Sequence, residues 1–227
     1  MLCEEQDKSK GGKRKMRKLF ACMLALVLLL GGVCSAASAA TTGGWEILTT
    51  QSAMLEDAQA RKALETAMKE YAGYKVKPLA LLGTQVADGI NYCILGYGST
   101  VTQTPKKNLC LAYVCENPDG KCEIIKIKTL SLKEKPAGGW KVTQKKSALK
   151  ADSKVTKALK KATAELAGAS YKALLVLARD KTNTVFCVLC RQKVSDAGGS
   201  TGLCLAYLTK KNSHYQLIRV DDFKFAR

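Results

Sequence analysis

The sequence predicts an α+β fold built twice: two tandem units, each a short strand, one helix and a four-stranded antiparallel sheet. Three observations carry this. The chain from about residue 40 onward repeats itself. Each copy holds one stripe of apolar residues at helical spacing. Each copy then holds four short apolar runs separated by turn signals, the pattern of antiparallel strands joined by hairpins.

The repeat is visible residue by residue. Gly43-Gly44-Trp45 recurs as Gly138-Gly139-Trp140, Lys62-Ala63-Leu64 as Lys157-Ala158-Leu159, and Ala72-Gly73 as Ala167-Gly168, all at an offset of 95. Leu109-Cys110-Leu111-Ala112-Tyr113 recurs as Leu203-Cys204-Leu205-Ala206-Tyr207, and Tyr92-Cys93 as Phe186-Cys187, at an offset of 94. Ordered matches of this kind mark a duplicated structural unit. The lost residue falls between about positions 82 and 92, in the first turn after the helix. The units are therefore read as residues 40–132 and 138–227, joined by a linker over 133–137.

Each element has its own reason. A short strand begins at Trp45 in the first unit and at Trp140 in the second. The helix follows: Leu64, Ala67, Met68 and Tyr71 share a face, and Val155, Ala158, Leu159, Ala162 and Leu166 do the same. That spacing gives a helix of about 17 residues with one apolar side. Gly73 and Gly168 stand where a left-handed cap would end it. The four strands are read at Tyr74–Gly83, Ile90–Tyr97, Leu109–Cys115 and Glu123–Leu132. Their counterparts are Tyr171–Ala178, Val185–Arg191, Leu203–Leu208 and Tyr215–Phe225. Asn117-Pro118-Asp119-Gly120 marks a tight turn. One helix would then lie across one face of each sheet.

Ahead of this lies a secretory leader. Lys13–Lys18 is basic, Leu19–Val33 is an apolar run, and Ala37-Ser38-Ala39 is an A-x-A cleavage site. The run is short for a membrane span, so residues 1–39 are read as a signal peptide and no span is expected after its removal. The destination is the periplasm, the cell surface or the medium. Lipidation at Cys34 is disfavoured, because Leu30 is one place too early and Val33 is bulky beside it.

The formal charge is +18, unevenly spread. Residues 40–137 carry a net +2 and residues 138–227 a net +12. A basic second half favours an anionic partner such as a cell-envelope polymer. Nucleic acid is disfavoured, since no aromatic residues interleave with the lysines and no nucleic-acid motif is present.

At one place the pattern resembles a known family. Gln85-Val86-Ala87-Asp88-Gly89 occupies the first hairpin after the helix, with Asn91-Tyr92 behind it. In that position cystatins, which inhibit papain-like cysteine proteases, carry Gln-x-Val-x-Gly. Gly43-Gly44 matches the glycine cystatins place ahead of the first strand. The resemblance implies a cystatin-like fold in each unit and a wedge formed by Gly43, Gly44, Gln85–Gly89 and the second turn at Pro118-Asp119. Two departures stand out. Ala87 replaces the motif's central valine, and the second turn lacks the tryptophan typical of the family. The second unit has Arg179-Asp180-Lys181-Thr182-Asn183 in place of the motif.

Chemistry is hard to find. After residue 39 there are seven cysteines. Cys93 with Cys110 and Cys187 with Cys204 are equivalent pairs on neighbouring strands, and Cys115 with Cys122 flank one turn, so disulfides or buried free thiols are both open readings. Cys190 is then odd. Cys187-x-x-Cys190 lies within a strand, where positions three apart face opposite ways, so a metal is not expected. His214 sits in a polar turn without a catalytic mate, and Asp221-Asp222 reads as a strand-end charge pair. The expectation is a non-enzyme that needs no cofactor. It would bind a protein partner, a cysteine protease in the sharper form. The rival is a basic module for an anionic polymer or host ligand.

Overall fold

The computed structural model describes residues 43–195, 198–212 and 214–226. The leader, with its basic run, Cys34 and its cleavage site, lies outside them. The first half runs β1 (Glu46–Ile47), α1 (Gln51–Glu56), α2 (Ala58–Ala67), β2 (Tyr74–Ala87), β3 (Gly89–Thr100), β4 (Lys107–Glu116) and β5 (Cys122–Thr129). The second repeats it as β6 (Trp140–Val142), α3 (Lys146–Leu149), α4 (Ser153–Ala162), β7 (Ala169–Asp180), β8 (Val185–Val194), β9 (Thr201–Lys211) and β10 (His214–Asp222).

The architecture corrects the expected fold class. The protein is mostly β, with about half of the described residues in strands and about a sixth in helices. It holds two five-stranded antiparallel sheets, ordered β1-β2-β3-β4-β5 and β10-β9-β8-β7-β6. It is not an α+β pair of cystatin-like units with four-stranded sheets. Two local causes account for the difference. The tryptophan strands join their sheets: Glu46 pairs with Thr84, and Trp140 with Asp180. The helices are also shorter than their apolar stripes. Asp57 stops α1 with extended backbone and caps α2, its Oδ1 accepting from the Ala60 N–H at 2.7 Å. Asp152 repeats that cap on Val155 at 2.8 Å. Both helices end before Tyr71 and Leu166, which stand 41% exposed instead of extending the buried face.

Both faces of the central strands of each sheet are buried. On one face α2 packs against Leu81, Tyr92, Ile94, Ala112 and Val114, and α4 against Val176, Phe186, Val188, Cys204 and Ala206. The opposite faces form one shared cluster. Cys93, Leu95, Leu109, Leu111 and Tyr113 come from the first sheet, and Cys187, Leu189, Leu203, Leu205 and Tyr207 from the second. Strict alternation along β3, β4, β8 and β9 divides the residues between these faces.

β2 and β7 break that alternation in matched places. The register skips Leu79 and Leu82 in β2, and Leu174 and Leu177 in β7. Each β-bulge turns an extra leucine into the shared cluster. Their sequences therefore read as continuous apolar runs. Each fully buried leucine stabilises the fold by about 2 kcal/mol.

The halves also exchange their exit segments. Tyr207 Oη accepts from the Lys133 N–H at 3.1 Å, just after the first sheet ends. Tyr113 Oη accepts from the Ala226 N–H at 2.9 Å, just after the second sheet ends. Trp45 donates to the Ala226 carbonyl at 3.1 Å and stacks on Phe225 at 5.1 Å. Residues 133–137, read as a plain linker, thus bear on the core of the second half.

Candidate functional site

β2 and β3 form a hairpin that turns at Asp88, where Ala87 pairs with Gly89. Val86 pairs directly with Ile90, so both side chains stand on the same face. They are 53% and 37% exposed. Ala87 and Asp88 are also exposed.

The tip is tied to two other segments. Gln85 Nε2 donates to the Gly43 carbonyl at 2.7 Å, and its Oε1 accepts from Asn91 Nδ2 at 3.0 Å. That chain of amides fixes the entry segment, Gly43-Gly44, alongside the hairpin. On the other side β3 pairs with β4, placing Ile90 opposite Glu116. Gly89, at φ +118°, lies so close to that strand that a Cβ would collide with the Glu116 carbonyl oxygen. Glycine is required there by both backbone angle and space.

The second turn follows at once. Asn117 O accepts from the Gly120 N–H at 2.8 Å, and Asp119 Oδ1 from the Lys121 N–H at 3.0 Å. Pro118 and Asp119 are exposed. Glu116 anchors the rim from below, accepting from Tyr92 Oη at 2.7 Å and from Gln59 Nε2 of α2 at 3.0 Å. Burial, then the Glu116 carboxylate, push the Tyr92 phenol well above its ordinary value, so it donates at all ordinary pH.

The residues singled out in the sequence thus meet on one rim: Gly43, Gly44, Gln85, Val86, Ala87, Asp88, Gly89, Pro118 and Asp119. Ile90 and Glu116 complete it and were not singled out, and Asn91, noted behind the motif, joins it through Gln85. Ile90 was legible as the partner of Val86 across a three-residue tip. Glu116 was not, since only the register shows what it supports.

The cysteines are placed otherwise than the sequence pairing suggested. All seven described cysteines are free. Cys93 faces Tyr113, and Cys110 faces Gly96. Cys187 faces Tyr207. Cys115 pairs with Glu123 and Cys122 with Glu116, so Cys115 and Cys122 fall on opposite faces. Burial pushes the Cys93 thiol up to about 12, which removes it as a nucleophile. Among the described residues no group of three or more His, Cys, Asp or Glu could hold a metal ion. His214 is an exposed residue opening β10. Asp221 is held by Arg219 at 2.5 Å and Lys133 at 3.7 Å. It borders an open cleft of about 560 Å³ between the two exit segments, with Lys128, Lys133, Lys224 and Asp222 also lining it. Its three lysines exceed its two aspartates by one charge, and none of the residues singled out for binding lies there.

No family model and no curated protein matches the chain. A solved structure described as "Ntf2 like protein involved in plasmid conjugation" is similar over 66% of this chain and 78% of its own, at 8% identity and a TM-score of 0.24. A likeness of that size carries no argument about fold or function.

Proposed function

We propose that the chain is a non-catalytic protein-binding module acting through the rim of its first half. The observation that carries this reading is the convergence of Gly43-Gly44, Gln85–Ile90 and Pro118-Asp119 on one edge, braced from behind and tipped with exposed Val86 and Ile90. A braced edge loses little conformational entropy when it docks, and an apolar tip supplies the desolvated contact that dominates such interfaces. A narrow wedge suits a cleft. The Gln85–Gly89 motif suggests the cleft of a papain-like cysteine protease as the occupant, blocked without presenting a cleavable bond.

The test is titration of papain with the purified chain. Inhibition at micromolar concentration or below is expected, and Val86→Arg should weaken it at least tenfold. Val86 is the better site for substitution than Gly89, whose replacement would distort the turn itself. Undiminished papain activity at micromolar protein would set the protease reading aside.

A second reading has its own support. Lys154, Lys157, Lys160 and Lys161 on α4 are all exposed, with Lys145 and Lys150 close by in sequence. α2 carries Arg61, Lys62 and Glu65 over the same span. A face so basic would hold an anionic cell-envelope polymer, and binding to heparin or teichoic acid would fall steeply between 50 and 300 mM salt, to below about a tenth. The whole chain must be used, since the halves share a core. Salt-indifferent binding, or binding unchanged by Lys157→Glu with Lys161→Glu, would remove this reading.

A further inference from the structure

Cys190 in β8 and Cys204 in β9 are direct register partners. Both are fully buried, against α4 in the same cluster as Val155, Ala158 and Leu159. Cys190 Sγ donates to the Val188 carbonyl at 3.6 Å, and Cys204 is the neighbouring group that acts most strongly on it. Facing residues of an antiparallel pair have Cα atoms about 4.5 or about 5.5 Å apart, depending on the kind of pair. Both values lie inside the range a disulfide spans.

The first half supplies an internal comparison. Its equivalent positions are Gly96 and Cys110, also register partners. A Cβ built on Gly96 would stand 3.5 Å from Cys110 Sγ. The sulfur on β4 thus already hangs over the place where a neighbour's Cβ would be. In the second half that place is filled by a cysteine.

We propose that Cys190 and Cys204 form a disulfide when the chain folds in an oxidising compartment, making the second sheet, and only the second, covalently stapled. The reaction is exchange with a small disulfide RSSR. One cysteine thiolate attacks RSSR, forming a protein–SR mixed disulfide and releasing RS⁻. The second thiol loses its proton and displaces the other RS⁻. The two protons end on two RSH, so two thiols are oxidised and one disulfide is reduced. Its interaction with the Cys204 thiol, then burial, push the Cys190 thiol well above its ordinary value. It is therefore a poor nucleophile in the closed sheet, and the bridge belongs to the folding chain, before β8 and β9 close beneath α4.

The experiment refolds the reduced full chain in buffer containing oxidised glutathione, alkylates remaining thiols and maps peptides without reduction. A peptide linking Cys190 to Cys204 is expected, lost on treatment with dithiothreitol. Added to the chain already folded and reduced, the same oxidant should produce that peptide at least roughly tenfold more slowly, because neither sulfur is exposed. The oxidised chain should melt about 5 °C or more above the reduced one. Cys190 and Cys204 both recovered alkylated, or linked to any other cysteine, would overturn the proposal. Mapping the unaltered chain makes the result independent of whether Cys190→Ser or Cys204→Ser folds.

Discussion

The first hairpin of each half occupies the same place in the duplicated scaffold, yet the two are opposites. In the second half the turn closes on itself. Asp180 is 4% exposed, and its carboxylate accepts from the Thr182 hydroxyl, from the Thr184 N–H at 2.7 Å and hydroxyl at 3.0 Å, and from the Val185 N–H at 2.9 Å. Asn183 takes the left-handed angle, φ +57°, that lets the turn be short. In the first half Gln85 stands at the equivalent position and donates sideways to Gly43, while the strands continue outward to Asp88. One turn satisfies its own polar groups, and the other carries Val86 and Ile90 at its end, 53% and 37% exposed. Duplication supplies two like supports. They differ at the end, where Gln85 stands against Asp180 and the second turn is one residue shorter.

That contrast presumes one folded body with two different ends, and the largest test bears on it. Leu174 is fully buried in the shared cluster at a β7 bulge. Leu174→Ala should cost about 3 kcal/mol. Unfolding in urea, followed by tryptophan fluorescence from Trp45 and Trp140, should stay a single transition with a lowered midpoint. Two separated transitions would show that the halves fold independently, and the comparison would then be between two domains.

The next test compares the turns directly. Asp180→Ala leaves the Thr184 and Val185 N–H groups without their acceptor, at a cost of about 2 kcal/mol. Gln85→Ala removes one half-exposed amide, at a cost of about 0.5 kcal/mol. Equal losses by chemical denaturation would mean that the first hairpin depends on its side-chain ties as much as the second.

Acid sharpens the same point. Burial by itself would raise the Asp180 carboxyl, but the hydrogen bonds from Thr182, Val185 and Thr184 outweigh it and hold it at about 2, below the ordinary 3.8. A depressed carboxyl contributes stability that is complete above its ordinary value and is lost as pH falls toward 2. The urea midpoint should therefore drop between pH 5 and pH 2, and Asp180→Asn should drop by less over the same interval. An unchanged slope in the variant would assign the acid sensitivity to other groups.

These contrasts also show how far the sequence could be read. The eight long strands lie where apolar runs and turn residues put them, because a strand needs only local pattern and a stop. The fold class did not follow. Whether α1 and α2 form one helix rests on the Asp57 cap, and whether a two-residue strand at Trp45 joins a sheet rests on distant Thr84 and Gly83. The bulges at Leu79, Leu82, Leu174 and Leu177 are invisible in an unbroken apolar run. Which cysteines face each other was not legible for a related reason. The repeat matched Cys187 with Cys93 and Cys204 with Cys110, but register, not repetition, decides which residues face each other, and it set Cys190 opposite Cys204. The rim fared better, since Gly43, Gln85 and Gly89 are marked by residue type at separate points of the chain. Their meeting depends on one hydrogen bond that no sequence pattern announces.

The smallest expected effect on stability is the most telling for function. Val86 and Ile90 stand 53% and 37% exposed in the free chain, so Val86→Ser with Ile90→Ser should change the unfolding free energy by no more than about 0.5 kcal/mol per residue. If the rim docks in a partner's cleft, the same pair supplies the desolvated contact there, and its loss should weaken capture of that partner by about 2 kcal/mol, roughly thirtyfold. Matched substitutions at Lys181 and Thr182, two of the exposed residues of the second hairpin, should leave capture unchanged. Loss of stability without loss of binding would mean that the exposed pair braces the hairpin. Equal loss of binding from either hairpin would mean that the two ends act together, and the divergence between Gln85 and Asp180 would then have no bearing on recognition.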